Sequence, residues 1–274
     1  MPYGESYFEL HAGFPDDAVS RAGADQFLNE NARLGWTRSV VSAVFIKNPG
    51  CVDPHNVPGT LESLISRQVF RSDELSWPTT IRRFALPLVE SALRDLGEAG
   101  ATNARLEIEC PFGWLAASED ASGSELVERA VFDPIRIPAS ELQFSSGVRM
   151  ADVPEWEIHF VVEPRSIEHA QPTTMQDVPP IIEQHGVDIE QTIQYRSQAM
   201  LAAGANHYKY ISTAYYPDPE AVVSEARRLF DHSNLVEDFW SRGYRLTLIL
   251  EHIVGCFQPA LKASAVQNVL SHSR

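Results

Sequence analysis

Apolar and polar side chains alternate along three segments, and this alternation limits the possible folds more than any other feature of the sequence. The segments are residues 104–110, 156–163 and 244–254. A period of two is typical of a β-strand with one face on an apolar core and the other toward polar surroundings. Several such strands favour a mainly antiparallel or mixed sheet with helices packed on one side.

Helix starts are marked by capping residues. Asp218 followed by Pro219 predicts a helix start, because aspartate caps the first turn and the N–H that proline lacks is not needed there. Asp188 occupies a similar capping position and predicts a helix over residues 188–203. Further helices are predicted at residues 18–34, 61–70 and 259–270, and in a segment that ends at residue 97.

After Trp156 the predicted strands and helices alternate, which indicates at least one βαβ crossover in the C-terminal part. The predicted fold class is therefore α+β, with a mixed, largely antiparallel sheet. Residues 166–180 are rich in proline and poor in apolar side chains, which is typical of a loop. This loop would separate an N-terminal α+β part, residues 1–165, from a C-terminal β-α-β-α-β-α part, residues 181–274. A single continuous domain fits the sequence equally well.

Composition favours a cytoplasmic globular protein. Apolar residues make up 44% of the chain, enough for a packed core. No apolar run approaches the ~20 residues needed to cross a bilayer, and the first ten residues lack the pattern of a secretion signal. The three cysteines are odd in number and far apart, which is typical of reduced thiols.

Most of the formal net charge of -15 lies between residues 101 and 192. A one-signed field of this kind favours cationic partners and repels phosphate backbones. We therefore expect a basic peptide or protein partner and no direct binding to nucleic acid or membrane.

Motifs that would identify a cofactor or a catalytic class are absent from the sequence. It contains no phosphate-binding P-loop, dinucleotide-binding glycine motif, HExxH metal motif, nucleophile elbow or kinase segment. The sequence therefore predicts no cofactor and no metal. An enzyme is still possible, because many active sites are assembled from scattered residues.

The polar faces of the three alternating segments offer a candidate acid–base site. These faces carry Glu157, His159 and Glu163; Arg105, Glu107 and Glu109; and Arg245, Thr247 and Glu251. If the strands are neighbours, carboxylates would raise the pKa of the histidine and allow proton transfer near neutral pH. The more ordinary interpretation is a solvated sheet face with cross-strand ion pairs.

Metal-binding and nucleophilic sites have weaker candidates. His252 and Cys256 are zinc-type ligands four residues apart, but no second pair completes a site. Cys51 and His55 could form a local dyad, although a proline-containing turn explains them as well. Cys110 lies on the apolar face of its predicted strand and is interpreted as an inert core thiol.

Tyrosines cluster on a predicted strand near residues 208–216. A tyrosine-lined edge strand could pair with an extended peptide, whereas ordinary packing against helices is the simpler interpretation. The candidate binding residues are Tyr208, Tyr210, Tyr216, Glu107, Glu109 and Arg245.

Together these features favour a non-catalytic accessory protein that binds a basic or extended peptide through an acidic surface. The alternative is a small-molecule enzyme with an acid–base site formed by His159 with Glu157 or Glu163. A structural role in a homo-oligomer is a third hypothesis. A concave site with carboxylates within hydrogen-bond reach of His159 would favour the enzyme.

Overall fold

The computed structural model describes residues 7–15, 18–45, 61–70, 79, 81–99, 105–117, 126–131, 148–151, 156–165, 178–197 and 209–259. The strands are β1 (Tyr7–Pro15), β2 (Thr37–Phe45), β3 (Leu61–Phe70), β4 (Arg105–Ala117), β5 (Leu126–Val131), β6 (Val148–Ala151), β7 (Trp156–Pro164), β8 (Gln191–Ser197), β9 (Lys209–Tyr216) and β10 (Tyr244–Pro259). The helices are α1 (Ala18–Asn31), α2 (Leu86–Glu98), α3 (Val178–Glu183), α4 (Pro219–Asp231) and α5 (Leu235–Ser241), with a 3₁₀ turn at Ala32–Leu34 and a π turn at Ile81–Ala85. Within these ranges no helix is long and apolar enough to cross a bilayer.

The described strands form one sheet, and eight of them close into a ring. Their order is β5-β4-β1-β3-β2-β8-β9-β7-β10-β6, and β4 also pairs with β10. The ring therefore runs from β4 through β1, β3, β2, β8, β9 and β7 to β10 and back to β4. Each pairing between the described strands is antiparallel.

Two halves of the chain contribute the same arrangement to this ring. The first half runs β1-α1-β2-β3-α2-β4, and its strands lie in the order β4-β1-β3-β2. The second half runs from β7 through α3, β8, β9, α4 and α5 to β10, with the strand order β10-β7-β9-β8. The α+β class is as predicted, but a crossover between neighbouring parallel strands is not confirmed. In each half a third strand lies between the two strands that flank the first helix, as in a split βαβ unit.

Two apolar cores lie beneath the helices, and each consists mainly of side chains from one half of the chain. In the second half the buried core includes Phe160, Leu229, Phe239 and Leu248. In the first half it includes Leu10, Phe27, Leu93, Leu96 and Ile108. Burying each of these side chains stabilises the fold by about 1.5–3 kcal/mol. Because the helices cover this face of the sheet, the alternate residues of the strands point toward the interior of the ring.

Two of the predicted helices are strands instead. Residues 61–70 form β3, and Gln191–Ser197 form β8 within the helix predicted over 188–203. Each strand has backbone partners on both sides, β1 and β2 for β3, and β2 and β9 for β8. Pairing between distant segments overrides the local helical spacing in both cases. Pro259, the first residue of the helix predicted over 259–270, is the last residue of β10. The rest of that predicted helix lies outside the described residues.

The proline-rich segment lies largely outside the described residues. Its last three residues, 178–180, form the first turn of α3. The β2–β8 and β4–β10 pairs join strands from the two sides of this segment. The division into two domains stays a prediction.

Helix α4 begins at the predicted capping residue. The Asp218 side chain accepts a hydrogen bond from the backbone N–H of Ala221 at 2.7 Å, and Pro219 follows as the first helical residue. This cap satisfies a donor that the first turn of a helix leaves without an intrahelical partner.

Substituting Asp218→Ala should lower the free energy of unfolding by about 1 kcal/mol, because the capping hydrogen bond is lost. Urea denaturation followed by circular dichroism measures this change. Asp231→Ala, at the exposed C-terminal end of the same helix, is the matched control and should not destabilise the protein. Equal losses in the two variants would contradict the capping role.

Candidate functional site

Charged side chains lie on the inner face of the closed sheet. Glu157 and His159 alternate along β7 with Ile158 and Phe160, which pack beneath the helices. Glu251 comes from β10 and stands directly opposite Glu157 in the β7–β10 pair. The side chains of Glu157, Glu251 and His159 are only 3%, 8% and 18% exposed. The expectation of a solvated polar face is wrong for these residues, because ring closure encloses that face.

His159 lies between the two carboxylates. Its Nε2 is 3.0 Å from Oε1 of Glu157, and its Nδ1 is 3.2 Å from Oε2 of Glu251. Two like charges directly opposite each other on neighbouring strands are destabilising. A protonated imidazole between them offsets that repulsion, since each ring nitrogen faces one carboxylate.

The protonation state of His159 follows from this position. Burial by itself lowers the pKa of His159, but the charges of Glu157 and Glu251 outweigh burial, and the pKa rises to about 10. Glu109 contributes in the same direction. His159 is therefore an imidazolium at neutral pH.

Glu251 holds its proton more tightly than an ordinary carboxyl group. Burial is the largest cause, and the nearby charges of Glu109, Glu157 and Glu9 add to it, whereas His159 acts in the opposite direction. The resulting pKa of Glu251 is about 8. Its buried Oε2 contacts Nδ1 of His159 as an ion pair, although the geometry is not that of a hydrogen bond. Glu251 can therefore gain or lose a proton near neutral pH.

A second cluster of the same composition lies on β1 and β4. Nε2 of His11 is 2.7 Å from Oε2 of Glu9 and 3.2 Å from Oε2 of Glu109. Burial lowers the pKa of His11, but Glu109 and Glu9 together raise it well above its ordinary value. Glu9 and His11 are not among the site residues predicted from the sequence. The signal that could have found them is the Glu-x-His spacing shared by residues 9–11 and 157–159.

The other predicted acid–base residues lie apart from His159. Glu163 forms an ion pair with Lys209 and stands opposite Arg245 in the β7–β10 pair. Glu107 stands opposite His11 in the β1–β4 pair. Of the predicted candidates, Glu157 and His159 are therefore in contact with each other and Glu163 is not. The side chain of Arg105 lies outside the described residues.

The tyrosine strand does not lie at an edge of the sheet. This strand, β9, pairs with β7 on one side and β8 on the other. The expectation of an edge strand open to a peptide is wrong, because both sides of the β9 backbone already have partners. Tyr210 is buried in the core and Tyr216 packs against it, whereas Tyr208 lies outside the described residues. A binding role for these tyrosines stays a prediction.

Glu157, His159 and Glu251 could also gather around a cation. One ligand atom from each lies within 4.8 Å of the others. However, the two carboxylates face opposite nitrogens of the imidazole, so a metal bound to one nitrogen would have one carboxylate across the ring. The arrangement therefore suits an imidazolium between two carboxyl groups better than a metal ion.

The remaining candidates from the sequence do not form a site in the described residues. His252 stacks on Trp156 with ring centroids 4.1 Å apart, while the side chain of Cys256 lies outside the described residues. Cys51 and His55 also lie outside them. Cys110 is buried in the core, and burial raises the pKa of its thiol well above the ordinary value. This thiol is therefore unreactive at neutral pH.

Comparison with known proteins leaves the family of this chain open. No protein-family model and no curated protein matches it. Among solved structures it is similar to an anthrone oxidase-like protein, at 13% identity, with 94% of each chain covered and a TM-score of 0.26. It is also similar to an aldoxime dehydratase, at 9% identity, with 93% of this chain and 84% of that chain covered and a TM-score of 0.43. At these scores neither similarity supports an argument about activity.

The free energy of unfolding should fall as the pH rises from about 6.5 to about 8. The pKa of Glu251 is raised from 4.5 to about 8 and that of His159 from 6.5 to about 10, so the folded protein keeps protons that the unfolded chain releases. The protons that the folded protein keeps on Glu251 and His159 stabilise it fully below the ordinary pKa of each group. This stabilisation is lost as the pH rises through the raised pKa. For each proton that the folded protein binds in excess of the unfolded chain, the free energy of unfolding falls by ~1.4 kcal/mol for each unit of pH increase.

Urea denaturation across this pH window measures the slope. Glu251→Gln should reduce the slope by nearly one proton at pH 6.5 and by about half a proton at pH 8, because it removes one titrating group. Glu237→Gln, at an exposed position of α5, is the control and should keep the original slope. A stability that does not change over the window would contradict the raised pKa values.

Proposed function

We propose that this protein is a small-molecule enzyme that transfers protons at the Glu157–His159–Glu251 cluster. The observation that carries this proposal is the position of His159 between two buried carboxyl groups, those of Glu157 and Glu251. Perturbed titratable groups held together in an enclosed place are typical of catalytic sites.

Glu251 is the group that transfers the proton. A general acid–base catalyst works best when its pKa lies near the operating pH, and the raised pKa of Glu251 meets this condition. As a carboxylate it accepts a proton from the substrate, and as a carboxylic acid it returns one.

His159 stabilises negative charge and keeps its own proton. Both of its ring nitrogens face carboxylates, so its pKa stays far above neutral pH. A fixed cation in a site of low dielectric stabilises an anion that forms beside it. Glu157 holds the ring in place and acts as a positioning residue.

This arrangement fits a substrate with an acidic C–H bond next to a carbonyl group. Removal of that proton by Glu251 leaves its electron pair in an enolate, whose negative charge His159 can stabilise. Return of the proton from Glu251 completes a step that neither oxidises nor reduces the substrate. The enclosed position of the cluster favours a small molecule over a polymer.

The accessory-protein hypothesis lacks comparable support. It requires the carboxylates of the middle third on the exterior, but Glu107, Glu109 and Glu157 belong to the inner face. Recognition of a basic or extended peptide, and association into a homo-oligomer, stay predictions.

Solvent exchange tests the proposed activity directly. The protein is incubated in D₂O with small ketones, aldehydes and 2-oxo acids, and loss of the α-proton signal is followed by proton NMR. We expect exchange of at least one compound to exceed the buffer rate, and Glu251→Gln to slow that exchange by about 100-fold or more.

Glu237→Gln is the control and should exchange at the original rate, since this exposed residue of α5 lies on the helical side of the sheet. Exchange no faster than in buffer for every compound would contradict the proposal, as would equal rates for the Glu251→Gln variant and the original protein.

A further inference from the structure

The two histidine clusters arise from the same positions of the two halves of the chain. Glu9-Leu10-His11 lies on β1 and Glu157-Ile158-His159 on β7, and each of these strands is the first of its half. Glu109 and Glu251 lie on β4 and β10, the last strands of the halves. In both clusters the imidazole contacts the glutamate two residues before it and a glutamate from the last strand.

We propose that Glu9, His11 and Glu109 form a second acid–base centre, and that both centres act on one substrate held between them. This inference rests on the proposed function and extends it to a reaction class. One centre removes a proton from a carbon atom and the other supplies a proton to a different carbon atom.

The ring closure brings the two centres together. In the β4–β10 pair Glu109 stands opposite Ile253, and the neighbouring inner residue on β10 is Glu251. Diagonal neighbours on one face of an antiparallel pair lie about 7–8 Å apart. The charge of Glu109 also raises the pKa of both Glu251 and His159, which supports their proximity.

Carboxyl groups from four neighbouring strands lie on the same inner face as the two histidines, and a tyrosine from a fifth strand stands opposite one of these glutamates. They are Glu9 on β1, Glu107 and Glu109 on β4, Glu157 on β7 and Glu251 on β10, with Tyr215 of β9 opposite Glu157. An inner face with this many acid–base groups can hold protons at two separate points along a bound molecule.

The two centres differ in ways that suit different roles. Both carboxylates of the second centre contact the same nitrogen of His11, whereas those of the first contact opposite nitrogens of His159. The side chains of Glu9, His11 and Glu109 are 22%, 18% and 12% exposed, so the second centre is the wetter one overall. It can therefore exchange protons with solvent, while Glu251 works in a drier environment. Separate environments for paired groups allow one to act as an acid while the other acts as a base.

The reaction class is isomerisation of an unsaturated carbonyl compound by proton transfer. Glu251 takes the α-proton, and the electron pair of that C–H bond forms a dienolate. His11 then gives its proton to the γ-carbon, where a new C–H bond forms as the double bond moves into conjugation. After the step Glu251 releases its proton to solvent and His11 takes one up from solvent. The substrate is neither oxidised nor reduced, so no oxidant or reductant is required.

Cyclohex-3-en-1-one is a suitable probe, because its isomerisation and its α-proton exchange can be measured separately. Ultraviolet absorbance follows the conjugated enone, and proton NMR in D₂O follows exchange at the α-carbon. We expect Glu251→Gln to slow both processes by about 100-fold. His11→Gln should slow isomerisation by a similar factor and leave α-proton exchange within about threefold of the original rate.

His185→Gln is the matched control, since this histidine pairs with Asp238 of α5 on the helical side of the sheet. It should keep both rates. Isomerisation that is unchanged in the His11→Gln variant would overturn the second centre. If the α-proton of the probe still exchanged in that case, the proposed function of Glu251 would stand. Absence of isomerisation in the original protein would also overturn the second centre, whether or not the probe exchanges its α-proton. For the original protein, the proposed function itself would be contradicted only if neither this probe nor any of the other carbonyl compounds exchanged.

Histidine NMR provides a readout that does not depend on turnover. In protein labelled with ¹⁵N-histidine, Glu109→Gln should lower the pKa of His11 and, by a smaller amount, that of His159, because both lose a nearby negative charge. The chemical shifts of the His185 ring should not change, which shows that the variant is folded. An unchanged His159 titration would contradict the link between the two centres.

Discussion

Backbone pairing between β4 and β10 joins the last strands of the two halves, and together with the β2–β8 pair it closes the sheet. Closure leaves no free edge among the eight strands of the ring, and it turns one face of every strand inward. Side chains that would be solvated on an open sheet are then enclosed together. The environment of the histidine clusters depends on this one constraint.

Enclosure makes it energetically unfavourable for the carboxyl groups of the inner face to be ionised. Carboxylates removed from water lose favourable hydration, and those close to one another also repel. The protein offsets this with two protonated imidazoles and with a carboxyl group, Glu251, that holds its proton to a higher pH than usual. A cluster of this kind lowers stability, and its Glu251 can gain or lose a proton near neutral pH.

The shared topology of the two halves explains why a histidine in contact with two glutamates occurs twice. Equivalent strands place a Glu-x-His pair at the start of each half and a glutamate at its end. Because the last strands of the halves pair with each other, Glu109 and Glu251 become neighbours on the inner face. The repeat therefore creates one continuous set of acid–base groups from two separate parts of the chain.

The amino-acid sequence by itself determined the strands with alternating side chains, the apolar face of each, and the start of α4 at Asp218. It also determined that His159 and Glu157 share a strand face, because a period of two is a local property. Tertiary structure decided that residues 61–70 and 191–197 are strands, since their backbone partners come from distant segments. It likewise decided that the polar face is enclosed and that Glu251 meets His159. Such contacts depend on strand order and ring closure, which arise from pairing across the whole chain and leave no trace in local spacing.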